Sequence, residues 1–408
     1  MSHAGVPPAN DVSSALHVLT ITPFFPSDQN EVSGCFIAEP IDQLQQFGVD
    51  SSVIAVAPIY HPRRQPSPAA AAEWVRYPQV PGNFGLSSAG NLLYARLLHR
   101  VRKLHASKAI DVIHAHAALP CGHAAALLSR RLNIPFVVTV HGLDVFNSCF
   151  TGGIPAAWRR KVSTDVYCAS RNVICISGKV QEILKAGTSA EARSTVVHNG
   201  VNPILFSPSP VVGPSEPELL IVGNLQRSKG HELVLRAIAQ VQPRFPKLRC
   251  RIIGEGPDRG QFEALTRELR IETRVQFMGR KSRSEVAEAM RRCSVFVLPS
   301  RNEGLGCVYL EAMSCAKPVI ACRGQGIEEV IEHERNGWLI PMDGLEELVQ
   351  GLSALLGSPE ICMRIGAAAR QTILEELTLS HQARRLAEVY RRATTSVDGL
   401  SSKSLRLL

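Results

Sequence analysis

Ser294-Val295-Phe296-Val297-Leu298-Pro299-Ser300-Arg301-Asn302-Glu303-Gly304-Leu305-Gly306-Cys307-Val308-Tyr309-Leu310-Glu311-Ala312-Met313 decides the reading of the whole chain. Ser294 to Leu298 has the apolar pattern of a buried strand, and Pro299-Ser300 turns the chain. Glu303 and two nearby glycines follow, and a helix then carries a second glutamate eight residues after the first. Glycine at a strand-to-helix junction lets backbone N–H groups approach a ligand closely. The helix start adds partial positive charge, and the combination suits a phosphate. Ionised carboxylates only accept hydrogen bonds, so Glu303 and Glu311 suit a partner rich in hydroxyls. A nucleotide sugar has both halves of that chemistry.

Working outward, the same alternation recurs. In the first half, strands are expected at Leu16–Thr22, Ser52–Ala57, Asp111–Ala115, Pro135–Val140 and Asn172–Ile176. Helices are expected at Phe36–Phe47, Asn91–Ser107, Cys121–Leu132 and Ala156–Ser170, and residues 58–90, rich in Pro, Ala and Ser, read as a long loop. Pro203–Pro217 reads as an interdomain linker. Five further strands follow at Glu218–Val222, Leu248–Ile253, Val275–Met278, Ser294–Leu298 and Pro318–Ala321. Strands separated by helices build right-handed βαβ units and parallel sheets. The expected fold is α/β: two Rossmann-like doubly wound parallel-sheet domains, residues 1–205 and 206–379, facing across a cleft. A basic helix, Ser380–Ala393, comes after the second domain, and residues after Thr395 read as frayed.

Composition agrees. A chain of 408 residues with 45% hydrophobic and 20% charged residues is a soluble globular protein of about two domains. No apolar run is long enough to span a bilayer, and Met1–Pro8 has neither a basic nor an apolar leader region, so a cytoplasmic location, or a peripheral one at the inner membrane face, is expected. The cysteines number eleven, without C-x-x-C, and Cys175, Cys250, Cys293 and Cys322 lie in apolar runs, where Cys acts as a small hydrophobe. The net charge of +9 is uneven: residues 1–205 hold 17 Lys and Arg against 12 Asp and Glu, residues 206–380 hold 22 against 22, and the tail 6 against 2. The basic excess implies either an anionic partner or a solvated basic face.

The segment Glu303 to Glu311, in its strand–glycine–helix setting, closely resembles the E-x7-E signature of the retaining, GT-B-fold glycosyltransferases of family 4. The resemblance covers essentially the whole chain. It implies transfer of a sugar from a nucleotide-sugar donor, UDP- or GDP-linked most often, to an acceptor hydroxyl on a glycan or lipid-linked acceptor, with retention at the anomeric carbon. It implies that Glu311 binds ribose hydroxyls and that Glu303 binds donor-sugar hydroxyls. Gly304, Leu305, Gly306, Cys307 and Val308 would present the helix start to the diphosphate.

Further motifs resemble the family in the same order. Gly223-Asn224-Leu225-Gln226-Arg227-Ser228-Lys229-Gly230 resembles G-R-L-x-x-x-K-G, with Lys229 at the phosphate lysine. Asn224 stands at the usual arginine, so Arg227 is expected to supply the second charge. Gly254-Glu255-Gly256-Pro257 resembles the turn lining the nucleotide pocket, and Gly279 and Arg280 resemble the backbone that meets the base. Ser33-Gly34 resembles the Gly-Gly turn facing the phosphate, with Ser33 a departure from it. His141-Gly142-Leu143-Asp144 resembles the His-Gly motif at the reaction centre, and Ser177 and Asn199-Gly200 resemble landmarks at the cleft floor. His114 and His116 are either structural or acceptor-side. Gly324, Gly326 and Glu329 are expected to brace the Glu303 loop, and Glu329 is read as structural.

The chain contains no D-x-D, which a metal-dependent GT-A transferase needs to hold a metal against the diphosphate, so metal-independent activity without a cofactor is expected. Rival readings are a GT-B nucleotide-sugar epimerase, a phosphorylase, and a non-catalytic binding protein that keeps the fold. A dinucleotide-dependent oxidoreductase lacks its G-x-G-x-x-G here. In Asn91–Lys108 the stripe Leu93, Leu97, Val101 and Leu104 is ringed by Arg96, Arg100, Arg102 and Lys103. Such a helix either lies on anionic lipid or packs its stripe against the sheet.

Overall fold

The computed structural model describes residues 15–28, 30–62, 64, 71–80, 85–142, 154–188, 193–209 and 216–395. Met1–Pro8, residues 65–70 and 81–84 of the expected loop, Leu143-Asp144, residues 210–215 of the linker and the tail beyond Thr395 lie outside the described residues.

The first sheet has seven parallel strands: β1 (Leu16–Thr22), β2 (Val49–Pro58), β3 (Glu73–Tyr77), β4 (Val112–His116), β5 (Phe136–Val140), β6 (Asn172–Cys175) and β7 (Ser194–Val196). Their order is β3-β2-β1-β4-β5-β6-β7. The second sheet has six: β8 (Glu218–Val222), β9 (Arg249–Ile253), β10 (Val275–Gly279), β11 (Val295–Val297), β12 (Val319–Cys322) and β13 (Trp338–Ile340), ordered β10-β9-β8-β11-β12-β13. Both orders reverse beside the domain's first strand, between β1 and β4 and between β8 and β11. Each reversal opens a crevice outside the carboxyl ends of the strands, where ligands bind in doubly wound folds.

Three strands correct the sequence reading. β3 lies inside the expected loop 58–90, and its half-exposed edge position blurs the apolar alternation. β7 and β13 are three residues each, too short for a period, and β13 makes six strands where five were expected.

The helices are α1 (Cys35–Leu44), α2 (Leu86–Ser107), α3 (His123–Leu132), α4 (Ile154–Ala169), α5 (Gly178–Gly187), α6 (His231–Val241), α7 (Arg259–Glu268), α8 (Arg283–Arg292), α9 (Cys307–Ser314), α10 (Leu345–Gly357), α11 (Pro359–Glu376) and α12 (Leu379–Thr394). On α2, Leu93, Leu97 and Val101 are fully buried in the core, so the apolar stripe packs inward and the lipid reading of that stripe falls. Arg96, Arg100, Arg102 and Lys103 remain on its outer face.

The last helix returns to the first domain. Ala383, Leu386, Ala387 and Tyr390 of α12 pack with Val18, Val112, Val137 and Ile174 of the first sheet. Val201 exchanges backbone hydrogen bonds with Leu377 and Leu379, so both chain crossings run side by side.

Candidate functional site

At the second crevice, β11 ends and the chain turns through Pro299 into buried Ser300 and the Glu303 loop. Facing it from the end of β8 is a single 3-10 turn, Arg227–Lys229. Lys229 Nζ meets Glu303 Oε2 at 2.5 Å, and Ser300 Oγ donates to the same oxygen at 3.1 Å. The Glu303 N–H donates to Gln325 Oε1 at 2.9 Å, and the Arg301 N–H to the Ser228 carbonyl at 2.7 Å. The carboxylate is thus held through Oε2, while the loop backbone is pinned at Arg301 and Glu303. Gly230 makes this close docking possible: its φ is +74°, and a Cβ there would lie 2.2 Å from the Pro299 carbonyl oxygen. Leu305 is buried beneath the loop. Gly306 leads into α9, whose first N–H groups, at Cys307 and Val308, have no earlier turn to bond within the helix.

Glu311, about one turn into α9, is buried. The Arg283 guanidinium, on the first residue of α8, bonds it through Nη1 and bonds Glu39 Oε1 of α1 through Nη2 at 2.6 Å. Burial opposes the Arg283 charge, but Glu311 and its neighbours outweigh burial and raise the pKa. Neither Arg283 nor Glu39 was singled out in the sequence. A Ser282–Glu285 capping box foretells the start of α8 but not where its first side chain points.

Nearby glycines pack the neighbouring strand ends. Gly254 and Gly256 lie against Gly223 and Leu225, and the Gly254 N–H bonds the Gly279 carbonyl at 2.9 Å. Asn224 and Arg280 are exposed at the same strand ends. Arg227 turns outward: its N–H bonds Asp258 and its Nη2 bonds Gln261 Oε1 at 2.8 Å. Lys229 faces Glu303; the Arg227 guanidinium does not.

The first domain brings its own crevice against this loop. Gly34 precedes α1 at φ +77°, and a Cβ there would lie 2.4 Å from the Phe24 backbone, so only glycine fits the turn. His141 follows β5 and is ringed by Phe24, Phe36 and His116, whose Nδ1 lies 3.0 Å from His141 Nε2. His114 binds Tyr390 of α12 at 2.8 Å and Thr139 at 2.7 Å. Burial lowers the pKa of His141 to about 4 and of His114 to about 3, so both are neutral near pH 7.

The domains meet at Gly304. Ser177 Oγ donates to its carbonyl at 2.6 Å, and a Cβ on Gly304 would lie 3.0 Å from the His141 carbonyl oxygen. Asn199 Nδ2 donates to Cys307 Sγ at 3.3 Å. The expected brace at Glu329 is redirected. Its carboxylate accepts from the Gly178 and Lys179 N–H groups at 2.8 and 2.7 Å and pairs with His198 at 3.0 Å. It serves the electropositive start of α5 in the opposite domain, while Gln325 holds the Glu303 N–H.

Comparison with known proteins gives the chain its class. Residues 36–204 match Glycosyltransferase Family 4, and residues 207–372 match Glycosyl transferases group 1. An uncharacterized glycosyltransferase of Methanocaldococcus jannaschii is 32% identical over 267 residues, covering 65% of this chain and 71% of the relative. The chain is a GT-B glycosyltransferase of group 1, family 4. A D-inositol 3-phosphate glycosyltransferase of Thermobispora bispora is 30% identical over 308 residues, 70% of this chain and 72% of that one. Sucrose-phosphate synthase from Thermosynechococcus elongatus superposes with TM-score 0.75 at 20% identity, over 92% of this transferase and 98% of that chain. HepE from Anabaena, in complex with UDP and glucose, superposes with TM-score 0.72 at 20% identity, over 91% and 98%.

In this transferase, among the described residues, no helix is long and apolar enough to cross a membrane. Glu303, Lys229, Ser300, Gly304, Cys307 and Glu311 converge where the two crevices face each other. The enzyme transfers sugar.

Proposed function

We propose that this transferase moves a sugar, with retention, from a nucleotide-sugar donor to an acceptor hydroxyl of a glycan or lipid-linked acceptor. One observation carries the reading: the Lys229–Glu303 contact at 2.5 Å beside the start of α9. A lysine point charge and unbonded helix N–H groups suit a leaving diphosphate, and electrostatic stabilisation of the leaving group is usually the largest catalytic term. Glu303 would accept from donor-sugar hydroxyls and Glu311 from the ribose. Gly34 would close over the diphosphate, and Gly254, Gly256, Gly279 and Arg280 would line the base. Neutral His141 would face the reacting carbon. Arg227 would join only by leaving Gln261. The UDP and glucose bound by the HepE neighbour support a UDP-sugar, with GDP-sugars the alternative.

Protein cations meet the diphosphate charge in this scheme, so the reaction is proposed to be metal-independent, without a cofactor. A cytoplasmic enzyme is proposed, and the exposed basic face of α2 supports peripheral contact with an anionic membrane. The first domain would bind the acceptor, and polysaccharide or lipid-linked glycan synthesis is the setting proposed.

The test is a panel of nucleotide sugars screened for slow donor hydrolysis by wild type and Glu311→Ala. A single responding donor, lost in the variant, supports the reading. No response to any donor overturns it in favour of a non-catalytic protein, and free sugar epimerised without acceptor would favour the epimerase.

A further inference from the structure

Arg283 belongs to none of the motifs around the cleft, yet its two amino groups reach opposite domains. Nη1 is on Glu311 in the second domain and Nη2 is on Glu39 in the first, 2.6 Å away. The guanidinium carbon lies 4.9 Å from the Phe206 ring centroid, which fixes the plane of the fork. All three charged groups are largely buried, with side-chain exposures of 16% for Arg283, 6% for Glu311 and 24% for Glu39.

The charges do not cancel. Two carboxylates share one guanidinium, which leaves the cluster with a surplus negative charge in a place shielded from water. Burial raises the pKa of Glu39 against the lowering pull of Arg283. A further anion would be repelled here, whereas hydroxyl donors satisfy the remaining carboxylate lone pairs without adding charge. The division of the fork matters as much as its charge. An arginine faced with one carboxylate closes on both of its oxygens. Glu39 draws one amino group away and leaves an oxygen of Glu311 for a ligand.

We propose that Arg283 is a positioning residue for ribose recognition and that Glu39, from the opposite domain, holds its fork half-open. Ribose binding is thereby tied to contact between the two domains. The inference rests on the reading of Glu311 as the ribose-binding carboxylate. Loss of Glu39 frees the fork to close on Glu311 and to compete with the ribose hydroxyls. A lysine at position 283 has no fork to divide between the two carboxylates, so it cannot hold Glu311 in the same orientation.

The experiment is calorimetric titration of the full chain with UDP and GDP, and with the 2′,3′-dideoxy form of whichever binds more tightly. The readout is the affinity ratio of ribo to dideoxy nucleotide, which a merely structural brace would not move. Glu39→Ala and Arg283→Lys are expected to lower the ratio about tenfold, the loss of one charge-assisted hydrogen bond, chiefly by weakening the ribonucleotide. Glu39→Gln, which keeps a neutral acceptor for the fork, should fall between. A ratio in Glu39→Ala within twofold of wild type overturns the proposal, whatever the variant's melting temperature. A ratio unchanged in Glu311→Ala, or a wild type that does not discriminate, removes the ribose reading itself and the inference with it.

Discussion

Lys229 and Glu303 are 74 residues apart in the chain and meet Nζ to Oε2 at 2.5 Å. Each is delivered by a strand end on one side of the β8–β11 crossover, so the pair marks the switch point of the second sheet. Replacing Lys229 by Met is expected to lower donor turnover on the order of 10²-fold, as for loss of one transition-state donor. Steady-state kinetics with the responding nucleotide sugar would show it, and turnover within threefold of wild type would contradict the assignment.

Glu329 ties the second domain to the start of α5 in the first. Burial opposes its charge, but His198 and the Gly178 and Lys179 N–H groups outweigh burial and lower its pKa below 4.5. A carboxyl depressed in the fold contributes stability above its unfolded pKa and loses it as pH falls through the folded value. Glu329→Gln should therefore cost about 1 kcal/mol at pH 7, the scale of a helix cap, and progressively less below about pH 4. Urea unfolding at both pH values measures this, and an equal cost at each would argue against a charge effect.

Buried histidines set an acid limit. The His114 pKa falls to about 3 through burial, with His141 adding a smaller effect, against 6.5 unfolded. The stability of the neutral form is complete above pH 6.5 and is lost as pH drops toward the folded value. At pH 5 the loss from His114 is about 2 kcal/mol, or roughly 4–8 °C in melting temperature. His114→Gln, able to bond both Tyr390 and Thr139, should show a shallower decline in Tm from pH 7 to 5. An unchanged slope would refute it.

On α2 the apolar stripe is spent on the core, so membrane contact depends on the outer charges alone. Arg100 already pairs with Glu73. Replacing Arg96, Arg100, Arg102 and Lys103 by Gln is expected to abolish cosedimentation with anionic vesicles at low salt. Binding equal to wild type would remove the role.

Both sheets and the Glu303–Glu311 element are legible because strand, Pro-Ser turn, glycines and helix follow one another locally. The edge strand β3 and the three-residue strands β7 and β13 are not, since none has a clean period. Lys229 is found through its own turn. Arg283 and Glu39 are 244 residues apart and owe their meeting to domain packing, which leaves no local signature. Glu329 shows the same limit: its glycine turn is visible, but its partners at α5 lie 150 and 151 residues away.

The most direct test of the account is the anomeric configuration of the first-formed product, read by proton NMR during turnover of the responding nucleotide sugar in excess EDTA. Retention of the donor's configuration at an undiminished rate is the predicted result. An inverted product, or turnover abolished by the chelator, would contradict retaining, metal-independent transfer at this cleft.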